Sequence, residues 1–462
     1  MNKYYRRTKQ YLIDRLSIAE FKFLEDAIKS FEILLPHVET GQWKRVSNNA
    51  EKIESKVNWV GIERKGIAIK IFIPQINEFI ENKMVRKIPG TTGVARVERS
   101  LDTVELNISK VFARNVSAFL KELSTQSESK LSGYYSRIFA DYVVLEYLKE
   151  THQLRFDISE LVDFLKELSE ESYENKSLSF GVIIDKKKNS STTYGSKIFP
   201  RDFTKEKKYK ALSDGYRTAF LLDKDGRLNK LMDLDKESNS SLRGEHYFPE
   251  WSRNMALTCV EDKIGFALTR QGDILFFQNG SLKFSRRFGQ WQYWNHAYII
   301  DLLKNKARTQ HVQTVILGKV VSKLYRYSLD ISFRRSGGLF VLMSNQRNIK
   351  KIIREGDGLH DRKRADVHKQ FEEFLLQSSI LGINRNVMID LSAIDGAIVL
   401  SNHGWLLAYG AVLLTKKSKQ VNKEQGSRSK AAVSASDYGI SIKISSDGAI
   451  SFYEAGNKFL EL

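Results

Sequence analysis

Between Leu12 and Leu35 the apolar residues Leu12, Leu16, Leu24, Ile28, Phe31 and Leu35 stand three or four positions apart, or at multiples of that, and Pro36 follows. This spacing predicts an amphipathic helix ended by the proline. From Lys56 to Pro74 the period falls to two: Ile67, Ile69, Ile71 and Ile73 alternate with smaller or polar residues after a turn at Glu63–Gly66. That pattern predicts strands, and Pro89-Gly90 marks a loop beyond them. Helical spacing returns from Ser109 to Leu168, with one stripe through Val111, Phe112, Val116, Phe119 and Leu120 and another through Tyr142, Val143, Leu145, Tyr147 and Leu148. Asp157 is placed to cap a last helix there, with Glu160 three residues on as its capping-box partner.

Beyond a polar connection at Lys186–Thr193 the chain turns strand-rich. Thr218–Leu222 precedes Asp225-Gly226, a hairpin signal. Ile264–Leu268, Asp273–Phe277 and Leu282–Phe284 form a close-spaced meander with turns at Gly272 and Asn279-Gly280. A helix is expected over His296–Lys306, another over Val320–Ser332, a buried strand over Gly337–Leu342, and a further helix over Val367–Ser379. These elements predict an α/β protein, mixed α+β overall, in three parts. Residues 1–170 form a mixed or helical module, 171–308 a strand-rich one, and 309–462 an α/β domain around a mixed sheet.

Composition narrows the class. The 462 residues, 42% of them hydrophobic, are enough for several cores. Lys and Arg total 74 against 55 Asp and Glu, a net charge of +19 that favours anionic partners. The single cysteine, Cys259, excludes a disulfide within the chain and fits a reducing, cytoplasmic setting. It lies in Met255–Val260, which reads as a buried strand, so a core role is expected for it. No signal peptide is expected after Arg6-Arg7, and no membrane insertion, since no apolar run approaches the length of a spanning helix. His360 and His368 suggest no zinc site. Walker, Gly-x-Ser-x-Gly and His-Glu-x-x-His patterns are missing from the sequence.

Arg286 and Arg287 stand beside Trp291 and Trp294, and aromatic rings next to cations can stack nucleic-acid bases. Closure of the meander's core by the two tryptophans is the favoured reading.

Three C-terminal segments carry candidate chemistry. Ile394-Asp-Gly-Ala-Ile-Val-Leu400 sets a carboxylate at the mouth of a strand, followed by small residues that let a ligand approach the backbone. Gln425-Gly-Ser-Arg-Ser-Lys-Ala-Ala432 collects hydroxyls, an arginine and a lysine where a helix can open, which suits phosphate. Ile440–Ser451 reads as strand, turn at Asp447-Gly448, and strand. Taken singly, the first is an ordinary turn and the second a basic surface loop.

Together and in this order, the segments resemble the domain of bacterial diadenylate cyclases, which join two ATP molecules into cyclic di-AMP. That family carries a Gly-Ala-Leu-type strand, Asp-Gly-Ala, Gly-Thr-Arg-His-Arg-Ala-Ala, and a Ser-Glu-Glu-Thr-Gly turn. Here stand Gly337–Leu342, Asp395-Gly396-Ala397, Gly426-Ser-Arg-Ser-Lys-Ala-Ala432, and Ser445-Ser-Asp-Gly448. The resemblance spans residues 309–462, and residues 171–308 are similar in order and texture to the DACNV sensor modules that precede some such domains. It implies that Asp395 activates the ribose 3′-hydroxyl or holds Mg2+ or Mn2+, with Asp447 as a second metal ligand. It implies that Gly426, Ser427, Arg428, Ser429 and Lys430 bind the triphosphate of ATP or the phosphates of a cyclic dinucleotide, Arg428 acting in catalysis. Gly396, Ala397 and Leu413 would border the base, and two copies of the chain would face each other as a homo-oligomer.

The sequence departs from the family at three places. Ser429 replaces the histidine, Lys430 replaces the second arginine and loses its bidentate fork, and the paired glutamates become Ser445, Ser446 and Asp447. An ungapped alignment leaves no acid at the second glutamate; a one-residue gap puts Asp447 there. Two alternatives therefore stand beside synthesis: a non-catalytic nucleotide sensor, and a basic nucleic-acid-binding protein using Arg286, Arg287, Trp291, Arg362, Lys363 and Arg364.

Overall fold

The computed structural model describes residues 18–36, 43–45, 59–64, 67–72, 102–125, 129–187, 200–205, 207–239, 244–307, 313–359, 375, 378–415 and 426–462. The expected loop at 89–90, the cations at 362–364, both histidines 360 and 368, and most of the helix expected over 367–379 lie outside these residues. The fold is mixed α/β. It divides into two compact units, one holding the described residues up to Ser238 together with Thr258–Trp294, the other Asn239–Leu257 and the described residues from Asn295 on. Among the described residues no helix is long and apolar enough to cross a membrane.

In the first unit, α1 is Ile18–Leu34. Strands β1 (Trp43–Arg45), β2 (Trp59–Arg64) and β3 (Ile67–Phe72) form a small antiparallel sheet in the order β1-β3-β2. The long helical stretch resolves into α2 (Thr103–Thr125), α3 (Ser129–His152) and α4 (Ile158–Ser169). At α4, Asp157 accepts from the Ser159 N–H at 3.0 Å. The reciprocal capping box lies instead at α2, where the Glu105 N–H donates to Asp102 at 2.7 Å and the Asp102 N–H to Glu105 at 3.0 Å.

After the short strands β4 (Ser172–Tyr173) and β5 (Lys176–Ser177) comes a seven-stranded sheet. It contains β6 (Phe180–Asp185), β7 (Thr218–Asp223), β8 (Leu228–Asp233), β9 (Lys263–Leu268), β10 (Ile274–Gln278), β11 (Ser281–Arg287) and β12 (Gln290–Tyr293). Its order is β12-β11-β10-β9-β6-β7-β8, and only β6 and β7 run parallel. The hairpin and the meander stand where the alternation placed them. Phe276 and Phe284 of the sheet share one core with Phe31, Phe112, Phe139 and Leu165 of the helices.

Trp291 and Trp294 are buried. The Trp291 Nε1–H donates to Asp141 at 2.6 Å, Arg286 donates to the same carboxylate at 2.8 Å, and Arg287 pairs with Asp273 at 3.5 Å. These rings have no free face for a base, so the cluster closes the core. Cys259 is buried as expected, but Arg253–Thr258 is helical and not a strand. Asn254, Met255, Ala256 and Leu257 close a helical turn, which the apolar run alone could not distinguish from a strand.

The second unit opens with α5 (His296–Ala307) and α6 (Thr314–Arg334), the latter longer at both ends than the expected helix. A six-stranded sheet follows: β13 (Gly338–Met343), β14 (Ala397–Leu400), β15 (Leu406–Ala411), β16 (Gly439–Ile444), β17 (Ile450–Glu454) and β18 (Asn457–Glu461). Its order is β15-β14-β13-β16-β17-β18, and β13–β14 is its parallel pair. Helix α7 (Arg385–Ala393) leads into β14, and α8 (Ser427–Ala435) leads toward β16. Leu339, Val341, Ala397 and Val399 pack with Ala432 and Val433 of α8 on one face. Gly338 faces Ile331 of α6 on the other.

Arg385, at the first turn of α7, ties this unit together. Its guanidinium bonds Asp330 of α6 through Nη2 at 2.9 Å and through Nε, and it reaches the Glu250 carboxylate and the Phe248 carbonyl. Asp330 also accepts from the Glu250 N–H at 2.7 Å. Burial pushes the Asp330 carboxyl up, and Arg385 offsets only part of that. Removing one partner of such a pair strands the other charge out of water. Arg385→Met is therefore expected to destabilise this unit by about 3–5 kcal/mol, and the double variant Asp330→Leu/Arg385→Met to recover much of the loss. Chemical denaturation of the three proteins checks this; equal losses in the single and double variants would contradict it.

Candidate functional site

Because β13 and β14 run parallel, with Phe340 opposite Ile398, both begin at the same edge of the sheet. β16 runs against β13, with Gly338 opposite Ile444, so it ends at that edge. Gly337, Asp395-Gly396 and the Ser445–Asp447 turn thus border one place. The start of α8 arrives there too: Arg428 lies beside Gly337, and Ser429 beside Lys443, the penultimate residue of β16.

Two glycines are required by this geometry. A Cβ on Gly396, whose φ is +118°, would stand 2.3 Å from the Gly410 carbonyl carbon and 2.8 Å from the Ala411 nitrogen. Only a bare backbone fits so close to β15. A Cβ on Gly337, φ +70°, would stand 2.6 Å from Nη1 of Arg428. The guanidinium therefore rests directly on the Gly337 backbone. Its Nη2 lies 3.9 Å from Oδ1 of Asp395, whose side chain is fully exposed. Two motifs more than thirty residues apart in sequence thus place a cation and an accessible carboxylate together.

The other expected residues are distributed as follows. Gly426 caps α8 with φ +90° and has open space around it, and no side chain caps the helix. The first N–H groups of α8 consequently have no partner within the helix. Ser427 is exposed, and Arg428 and Lys430 are half-buried. Ser429 is only 5% exposed, and its hydroxyl accepts from Lys443 Nζ at 2.9 Å. Ala397 and Leu413 belong to the core cluster behind the edge, and the Leu413 backbone also forms an antiparallel bridge with Ile353. Asp447 stands exposed on the β16–β17 turn and accepts from the Ala449 N–H at 3.1 Å.

Lys443 was missed in the sequence because it reads there as the polar member of an alternating strand. Helix α7 was missed as well, although Asn384 before Arg385 is an N-cap signal, and its side chain does accept from the Asn386 N–H at 2.9 Å.

Among the described residues, no group of three or more His, Cys, Asp or Glu converges to cage a metal ion. The exposed Asp395 carboxylate suits a cation that takes most of its oxygens from phosphate and water, as Mg2+ does.

No family model matches the chain, and no curated protein matches it. Among solved structures it is similar to a double mutant of DacA from Staphylococcus aureus, with 17% identity, covering 31% of this chain and 87% of that one, at a TM-score of 0.21. It is also similar to a hypothetical membrane spanning protein from Bacillus cereus, with 17% identity, covering 36% and 76%, at a TM-score of 0.24. At these TM-scores the likeness assigns neither fold nor function to the chain.

The two glycines differ in what a side chain would meet. Gly396→Ala strikes backbone that cannot yield and is expected to cost about 3 kcal/mol, the upper end for overpacking. Gly337→Ala strikes the movable end of an arginine, so about 1–2 kcal/mol from its left-handed φ is expected. Denaturation curves of both variants check the ranking, and a costlier Gly337→Ala would contradict it.

Proposed function

We propose that the second unit binds ATP at this edge and joins two ATP molecules into cyclic di-AMP or a related cyclic dinucleotide. The observation that carries the reading is the meeting of Arg428 with Asp395 over the bare Gly337 backbone, at the uncapped start of α8. A guanidinium and a row of helix N–H groups favour phosphate. The neighbouring carboxylate is free to face a hydroxyl. Close packing of Gly396 on the β15 backbone fixes the position from which the Asp395 side chain projects.

In this reading the 3′-hydroxyl of one nucleotide attacks the α-phosphorus of the other. The new P–O bond forms as the bond to the β-phosphate oxygen breaks, pyrophosphate leaves, and the hydroxyl proton passes to Asp395 or to water. A second such step closes the ring. Ser427, Arg428, Lys430 and the α8 N–H groups hold the phosphates and spread their charge. Gly396, Ala397 and Leu413 border the base. Mg2+ or Mn2+ bound by Asp395, with Asp447 as second carboxylate, would neutralise the phosphates. One nucleotide per site requires two chains face to face, hence a homo-oligomer, with the first unit as the sensor that controls it.

A nucleotide sensor without turnover is the second reading. It is favoured by Ser429, whose buried hydroxyl is already engaged by Lys443 and offers no acid or base at that position. Incubation of the full chain with ATP and Mg2+ or Mn2+, read by mass spectrometry, separates the two. Synthesis gives a cyclic dinucleotide that disappears in Asp395→Asn, with a rate per chain that rises with protein concentration. ATP binding without product would establish the sensor and overturn synthesis.

A further inference from the structure

Lys443 occupies a position that strand alternation alone leaves unremarkable. It lies opposite Leu339 of β13 and Ser451 of β17, on the face of the sheet that α8 covers. On that face Ser441 already bonds the Ala432 carbonyl at 2.6 Å, which fixes α8 against β16. Two residues on, the Lys443 ammonium lies 2.9 Å from Ser429 Oγ in the first turn of α8. Among the described residues no carboxylate pairs with it. A lysine has three donors, and the one hydroxyl leaves the others of this half-buried ammonium open to an anion. Arg428, resting on Gly337, and Lys430 adjoin Ser429 in the helix. Lys443 thus adds a charge from the sheet to the uncapped α8 start, and the small Ser429 side chain leaves space for the lysine to reach it.

We propose that Lys443 is a phosphate-binding residue of this site. Held by Ser429, its ammonium supplies a charge fixed from the sheet side beside Arg428 and selects ligands that carry a di- or triphosphate. The assignment rests on the nucleotide-site reading for the identity of the ligand, but its chemistry is that of any pyrophosphate group.

Calorimetric titration of the full chain with ATP and, separately, with inorganic pyrophosphate tests it in the wild type, Lys443→Met, Lys443→Arg and Ser429→Ala. The expected result is a loss of about ten- to a hundredfold in affinity for both ligands in Lys443→Met, as for a charged hydrogen bond. Lys443→Arg is expected to recover most of it, and Ser429→Ala to lose a smaller part. Wild-type affinity for both ligands in Lys443→Met would overturn the assignment while leaving the nucleotide reading intact. Pyrophosphate binding that needs Lys443, without ATP binding, would sustain the assignment and remove the nucleotide. A wild-type chain that binds neither ligand overturns both. Should Lys443→Met fail to fold, Ser429→Ala and Lys443→Arg decide, since unchanged binding in Ser429→Ala together with none in the folded Lys443→Arg contradicts the proposed geometry.

Discussion

The parallel pairing of β13 with β14 fixes where the chemistry of the second unit stands. Two parallel strands begin at one edge, and an antiparallel third, β16, must end there. Every loop that carries a candidate residue is delivered to that edge by this arrangement. The close approach of Gly396 to β15 and of Arg428 to Gly337 then sets the fine geometry. Neither approach tolerates a Cβ without movement, so the glycines are part of the site although they carry no functional group.

The site is lopsided in charge. Arg428, Lys443 and the N–H groups of α8 gather on one side, and the exposed Asp395 stands on the other at a distance too long for a tight ion pair. An exposed pair at 3.9 Å contributes little to stability, so folding energy does not explain its presence. Structural arginines of the same unit look different: Arg385 is inserted between Asp330, Glu250 and the Phe248 carbonyl and has its donors engaged. The two arginines thus differ: Arg385 holds the fold, whereas Arg428 is the one placed at the proposed nucleotide site.

Much of this was legible in the sequence. Alternation located the hairpin at Asp225-Gly226 and the meander, and the tryptophan cluster read correctly as core. Asp395-Gly396 at a strand mouth and Gly426 before a helix also stand where their local chemistry put them. What escaped was non-local. Lys443 meets Ser429 only when α8 folds onto β16, which no window of residues reveals. Cys259's neighbours were apolar enough for strand or helix, and only packing decides between them. The two edge strands of this sheet, β15 and β18, carry mixed burial and show no clear period.

The central claim is that phosphate binds where α8 begins, between Arg428 and the edge formed by Gly337 and Asp395. A crystal structure of the full chain with a non-hydrolysable ATP analogue tests it most directly. The account predicts phosphate oxygens against the N–H groups of Ser427–Ser429 and the Arg428 guanidinium, with the ribose toward Asp395. An analogue bound in that crystal at any other place, leaving this edge to solvent, would contradict it.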